Sequence, residues 1–230
     1  MDFGRAFTFF FEDEDWGRKL LMGALFGLIG LVTLGFGYAV LYGWAIEISR
    51  RNLHEDNAEL PAFDDIGGYF IDGIKLYLAQ LVWALPMVVI WIPFFIVPFL
   101  IEAGIVNEET FVGLSMLFFI CIMPFALIFG LALSLGLPVQ FGIFAATGSF
   151  KAVVNPKTIF NFVRANPGDY VLAWLILYAV QMLMSVVMMM TCFIGMFPGV
   201  AYMYAVLGKL SGDAYRLTLA KAPELDPALN

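Results

Sequence analysis

Residues 76–101 read LYLAQLVWALPMVVIWIPFFIVPFLI, without one charged side chain. A helix needs only about 20 residues to cross about 30 Å of hydrocarbon at about 1.5 Å per residue. Working outward, 20–46 and 111–137 are equally free of charge, and 171–208 is longer still. Four such runs describe a polytopic membrane protein. Lipid offers no partner to backbone N–H and C=O groups, so the expected fold is all-α, a transmembrane helical bundle.

Composition agrees. A chain that is 62% hydrophobic with a mean hydropathy of +0.88 lies outside the soluble range. The formal net charge of −7 argues against nucleic acid, which needs a basic face. Anionic lipid is left only local basic clusters to attract. Cys121 and Cys192 both fall within apolar runs, where a thiol behaves as a small hydrophobe. The spacing offers neither a disulfide framework nor a CxxC metal site. An acidic start followed by a run too long for a signal-peptide core predicts that the first segment is retained.

Glu12, Asp13, Glu14 and Asp15 precede Trp16. Carboxylates at the positive end of a helix dipole and an indole at headgroup depth predict a helix start at a membrane surface. A solvated terminus is preferred there to a divalent-cation site. In the first run Gly23/Gly27 and Gly35/Ala39/Gly43 recur every four residues, giving faces on which another helix backbone can approach closely. Gly35-Phe36-Gly37 offers an alternative, a re-entrant hairpin whose halves of about 13 residues each reach about 20 Å. Length favours one span and the Lys/Arg distribution favours the hairpin; a span is expected.

After the first run, Ile66, Tyr69, Phe70, Gly73 and Ile74 recur at helical spacing opposite Asp65 and Asp72. Phe150, Val153, Val154, Phe160 and Val163 alternate with Lys151, Lys157 and Arg164 before the turn signal Asn166-Pro167-Gly168. Both stretches read as amphipathic helices lying in the interface. Gly195, Pro198 and Gly199 interrupt the last run, which predicts a span over 170–191 and a shorter fifth helix over 198–212. Gly195/Gly199 and Gly208/Gly212 are further close-packing faces. The expected plan is therefore four long segments, a shorter fifth and two interfacial helices. These form one transmembrane domain over 1–215, with a polar tail over 216–230 that includes Pro223 and Pro227. A weak repeat relates 20–101 to 111–192. Pro86, Pro93, Pro98 and Pro124 read as kinks tolerated within the bundle.

Orientation follows the Lys and Arg of the loops. Loop 47–75 carries Arg50, Arg51 and Lys75; loop 138–168 carries Lys151, Lys157 and Arg164; the C-terminal segment carries Lys209, Arg216 and Lys221. The connection 102–110 carries only Glu102, Glu108 and Glu109. Both loops and the C-terminus are thus predicted cytoplasmic in a multi-pass cell-membrane protein. Arg5, Arg18 and Lys19 add the N-terminus to that side, in conflict with a single span over 20–46.

Candidate chemistry is sparse. Gln80, Gln140 and Gln181 are the amides near or within spans, with Gln80 and Gln181 the first candidates for contacts to a solute and interhelical bonding the plainer role. His54 stands alone in a polar loop, without the neighbours a zinc site or a triad needs. Met182, Met184, Met188, Met189, Met190, Met196 and Met203 crowd the last helices; thioethers bind Cu(I), but adaptable packing explains them without copper. Glu55, Asp56, Glu59, Asp64, Asp65 and Asp72 lack the spacing of a calcium loop. No catalytic, cofactor or metal residue is nominated.

Asp15-Trp16-Gly17-Arg18-Lys19-Leu20-Leu21-Met22-Gly23 opens the first run, followed by Gly37-Tyr38 and Arg50-Arg51. Then comes Leu60-Pro61-Ala62-Phe63-Asp64-Asp65, Tyr69-Phe70-Ile71-Asp72-Gly73-Ile74-Lys75, and later Asn166-Pro167 with Tyr170. Over about residues 12–215 this resembles a prokaryotic multi-pass membrane family grouped only as domain of unknown function 4013. The resemblance implies topology and a prokaryotic inner-membrane location, and nominates no reaction. Leu60, Pro61, Asp64, Asp65, Asp72, Gly73 and Lys75 are its most specific part. They read as an interfacial motif that either docks a partner or seats the second span, with Asp72 and Lys75 on one helical face. The function expected is non-enzymatic: a structural or assembly subunit of a membrane complex, or a bilayer organiser, with lipids and other membrane subunits or itself as partners. The alternatives are a transporter or channel component for a neutral or lipid-like solute and, third, a lipid-acting enzyme using Asp64, Asp65 and Asp72.

Overall fold

The structure, a computed structural model, describes residues 3–54 and 59–226. Glu55, Asp56 and Pro227 lie outside the described residues, as do the side chains of Pro93, Glu108 and Cys121. Every regular element described is helical: α1 (Phe3–Thr8), α2 (Trp16–Val32), α3 (Phe36–His54), α4 (Ile66–Glu102), α5 (Glu108–Thr147), α6 (Phe150–Val154), α7 (Pro156–Ala165), α8 (Pro167–Met190) and α9 (Met196–Lys221), with 3-10 turns at Phe9–Glu12 and Pro223–Leu225. Among the described residues three stretches are long and apolar enough to cross a membrane: Ile66–Glu102, Ile122–Thr147 and Pro167–Met190.

Local chemistry sets the helix starts. The Asp65 carboxylate accepts from the Gly68 N–H at 2.9 Å at the head of α4, and Asn107 Oδ1 accepts from Thr110 N–H at 2.7 Å at the head of α5. Asn155 caps α7 at 3.1 Å, with Pro156 in the first turn where its missing N–H costs nothing.

The chain divides into two compact units, Met1–Ala79 with Leu135–Asn230, and Gln80–Ser134. In the first, α9 is the axis. Trp44 and Ile48 of α3, Ile176 and Val180 of α8, and Tyr202, Val206 and Leu210 of α9 share one core with Phe10 and Leu60. Contact order fixes the helix directions. Gly23 and Gly27 of α2 meet Ala201 and Phe197, so α2 and α9 are antiparallel; Gly208 and Gly212 meet Ala45 and Ser49, so α3 and α9 are parallel. Gly199 meets Met184, and Asn166 meets Thr218, so α8 and α9 are antiparallel. The α2–α3 and α8–α9 turns therefore share one end of this unit, and most of its charged side chains gather at the other.

The second unit consists of the remaining parts of α4 and α5 and their connection. There the rings of Trp91 and Phe118 lie 5.9 Å apart, and Gly104 turns the chain at φ 72°.

Four expectations change. The first apolar run does not form one span: it breaks at Thr33, with Leu34 at φ 53° and Gly35 at φ 108°. Two left-handed residues in succession end a right-handed helix, and Gly35 bears this without a Cβ penalty. The stretch around 66–74 is not a separate interfacial helix, because α4 runs from Ile66 to Glu102 uninterrupted, past Pro86 and Pro98. Around 150–165 there are two helices, since Asn155-Pro156 ends α6 and starts α7. The fifth helix is not short: α9 has 26 residues, runs on to Lys221 and takes 216–221 out of the tail.

Candidate functional site

Chemistry gathers at the charged end of the first unit, where the chain from the N-terminus, the segment after α3 and the ends of α3, α4, α8 and α9 meet. The interfacial motif is built in from two sides. Asp13 Oδ2 accepts from the Leu60 N–H at 3.1 Å, and the Lys19 ammonium, 2.6 Å from the same carboxylate, donates to the Leu60 carbonyl at 2.7 Å. The buried Trp44 indole donates to the Pro61 carbonyl at 2.9 Å. Asp13 thus departs from the solvated terminus expected for the acidic run; its side chain is 6% exposed.

Arg50, near the end of α3, bridges Glu47 at 2.7 Å and Asp72 of α4 at 3.1 Å. Burial works against its charge, but hydrogen bonds to Asp72 and Glu47 outweigh that and raise its pKa. Lys75 pairs with Asp72 at 3.4 Å, as their spacing suggested. Gly73 serves a different purpose: its Cα packs on the Ala39 carbonyl of α3, while Gly43 packs on the Tyr69 carbonyl of α4.

Deeper in, Lys209 is 5% exposed. Its ammonium lies 3.2 Å from Asp213, 3.4 Å from Asn52 Oδ1 and 5.8 Å from the centre of the Phe9 ring. Burial pushes the Asp213 carboxyl above its usual range despite Lys209. About two turns further along α9, Lys221 donates to Asn166 at 2.6 Å and to Asp169 at 3.0 Å, and Asn166 donates to Thr218 at 3.2 Å. In the sequence Lys209 and Lys221 serve as orientation signals; the i,i+4 spacing of Lys209 and Asp213 is the available clue to a pair.

Of the helix-packing candidates, Gly23, Gly27, Ala39, Gly43 and Gly199 lie at close crossings within this chain. Gly35 and Gly195 instead belong to turns: Gly35 has open space around it, and Gly195 meets Thr191 and Val187 of the preceding turn. Gly208 and Gly212, a further pair at four-residue spacing, are tight crossings as well, and so are Gly37 and Gly142, which that spacing does not mark.

The remaining candidates do not converge. Asp65 is spent on capping α4, Asp72 on ion pairs, and Asp64 lines a cavity of about 90 Å³ with Asp15, Arg18, Lys19, Met22 and Phe63. Gln80 is half-buried on α4 and falls in the second unit, whereas Gln181 is exposed on α8 in the first. Of these three glutamines Gln140 is the buried one, 3% exposed, and no described group bonds its Oε1. His54 is exposed at the end of α3. Met184 and Met203 pack on the core while Met182, Met189 and Met190 face outward. Among the described residues no group of His, Cys, Asp and Glu is placed to hold a metal.

No curated protein and no solved structure matches the chain. A family match covers residues 25–193, from within α2 to the α8–α9 turn, and takes in the Leu60–Lys75 motif with its ion pairs. The chain belongs to the family described as protein of unknown function, DUF4013.

Proposed function

We propose that this protein is a non-enzymatic structural or assembly subunit of a membrane complex, or an organiser of local bilayer structure. One observation carries the reading. The polar groups of the charged end are engaged with one another: Asp13 with Lys19 and Leu60, Arg50 with Glu47 and Asp72, Lys209 with Asp213, Lys221 with Asn166 and Asp169. Groups bound this way hold helices together. Meanwhile the outward faces of α4 and α8 carry Leu85, Val89, Ile96, Leu175, Leu183 and Val186, suited to lipid or to another membrane helix. In this reading loops 47–75 and 138–168 and the C-terminus face the cytoplasm of a prokaryotic cell, following the Lys/Arg distribution and the family resemblance.

Native mass spectrometry of the protein extracted from its own membrane in mild detergent tests the proposal. A discrete assembly with itself or another subunit is expected. A monomer that retains a small molecule would overturn the subunit role in favour of the second reading, transport of a neutral or lipid-like solute, for which the buried Gln140 Oε1 is the supporting observation.

A further inference from the structure

Two turns at one end of the first unit repeat each other bond for bond. In the first, the Thr33 hydroxyl donates to the Ile29 carbonyl at 2.6 Å and accepts from the Gly37 N–H at 3.4 Å. In the second, the Thr191 hydroxyl donates to the Val187 carbonyl at 2.7 Å and accepts from the Gly195 N–H at 2.8 Å. The same offset of 158 residues relates the backbone bonds of the two turns. Gly35 N–H to the Gly30 carbonyl matches Phe193 N–H to the Met188 carbonyl, Phe36 to Thr33 matches Ile194 to Thr191, and Tyr38 to Gly35 matches Met196 to Phe193. The two residues after each threonine have positive φ: Leu34 and Gly35, Cys192 and Phe193. The sequence under both is Thr-x-x-x-Gly.

Such turns suit hydrocarbon. Water ordinarily satisfies the backbone groups freed where a helix ends, and loop tips are accordingly polar. Here the tight turns and the threonine hydroxyls take up the Ile29, Gly30, Val187 and Met188 carbonyls and the Gly37 and Gly195 N–H groups, while the side chains shown outward are apolar. Leu34 is 97% exposed and Met190 80%, with Val32, Phe36, Phe193 and Ile194 beside them. These tips continue the apolar outer surface of α8, one of the span-length helices.

Length decides how far they go. From Lys19 to Thr33 is a rise of about 21 Å, from Phe36 to Glu47 about 17 Å, and from Met196 to Lys209 about 20 Å, against about 30 Å of hydrocarbon. α8 has 24 residues, enough to cross by itself. Its contacts of Asn166 with Thr218 and Met184 with Gly199 set Leu175 level with Lys209, however, which leaves about 22 Å between Leu175 and Met190. By contrast, Lys75 to Glu102 within α4 rises about 40 Å. We propose that α2–α3 and α8–α9 form a pair of re-entrant hairpins. They enter the membrane from the charged side and turn back inside it, their apolar tips meeting the acyl-chain ends of the opposite leaflet, and only α4 and α5 cross. All 12 Lys and Arg then lie on one side, and the N-terminal basic residues that conflicted with a single span fall into place. The inference goes beyond the proposed role: it requires membrane insertion and stands for a subunit and a transporter alike.

The test uses the full chain in a bacterial host with Cys121→Ala, which leaves the native Cys192 as reporter, and a second variant adding Cys192→Ser and Leu34→Cys. Membrane-impermeant maleimide is applied to spheroplasts and to inverted vesicles, with Ala103→Cys and Lys151→Cys, each in the cysteine-free background, marking the two surfaces. Positions 34 and 192 should resist labelling from both faces and react fully in detergent, while the two markers react from opposite faces. Labelling of either tip from the Ala103→Cys face would show that the hairpins span; labelling from the Lys151→Cys face would show that they lie outside the membrane. Either overturns the proposal. Bimane on the same two cysteines, quenched by lipids brominated at different depths, should respond most to bromines near the chain ends; strongest quenching by shallow bromines would overturn it as well.

Discussion

Gly43 and Gly73 meet where α3 crosses α4, and neither position has room for a Cβ: on Gly73 it would lie 3.0 Å from the Gly43 nitrogen and closer still to the Ala39 carbonyl, and on Gly43 it would strike Tyr69. The obstacles are backbone atoms, which cannot swing aside as a side-chain end can. Gly43→Ala and Gly73→Ala should each destabilise the protein by about 1–3 kcal/mol or more, through overpacking. Gly17→Ala, with nothing near its added methyl, should be neutral or slightly stabilising. Thermal unfolding in one detergent ranks them; equal melting of Gly43→Ala and Gly17→Ala would show that the crossing is looser than described.

The faces at Gly23 and Gly27, which a helix of another molecule could also use, are filled by Ala201 and Phe197 of the same chain. A Cβ on Gly23 would lie 2.5 Å from the Ala201 methyl. Gly23→Leu should therefore lower thermal stability by about 1–3 kcal/mol. Loss of a homo-oligomer in native mass spectrometry with an unchanged melting curve would return Gly23 to an intermolecular role.

The long helices were legible because hydropathy and length suffice for α4, α5 and α8. The break at Thr33 was not, because a turn made of Leu, Gly and Phe has the same hydropathy as the helices it joins. Its traces were Gly35-Phe36-Gly37 and the basic residues before the run, and the Thr-x-x-x-Gly recurrence had meaning only once both turns were seen. The charged end was hidden for another reason. Asp13 and Lys19 are six apart and meet through Leu60, a residue more than forty positions on, which no local pattern announces.

Lys209 and Asp213 form a buried pair, so removing one partner should cost more than removing both. Asp213→Leu alone should cost about 3–5 kcal/mol, because it strands the Lys209 charge away from water; Lys209→Met should cost less, since Arg216, 3.9 Å from Asp213, still faces the carboxylate. The double variant should recover much of that loss, since an apolar pair of similar volume escapes desolvation. Additive losses in a double-mutant cycle would mean that the two do not depend on each other.

Asp213 also sets a pH response. Its folded-state pKa is raised by burial, so between its ordinary value and the raised one the native state binds more protons than the unfolded state. Its contribution is fully present below pH 3.8, the ordinary value, and is lost as pH rises through the raised one. The stability difference between wild type and Asp213→Asn should therefore move against wild type as pH rises through that window. A pH-independent difference would contradict the shift.

Thr33 and Thr191 each close a turn with one hydroxyl, and a methyl in its place cannot. Thr33→Val and Thr191→Val keep shape and remove the donor and acceptor together, leaving the Gly37 and Gly195 N–H groups without the hydroxyl that accepts from them. An unmet polar group of this kind costs about 1–3 kcal/mol. The loss should exceed that of Thr→Ser at the same positions, which keeps the hydroxyl. In lipid, where water cannot substitute, the Val–Ser gap should be wider than in detergent. Thermal unfolding of the four variants in nanodiscs and in detergent measures both gaps. Equal gaps in the two media would indicate that water reaches the turns, and a Val variant as stable as Ser would show that the hydroxyl bonds do not hold them.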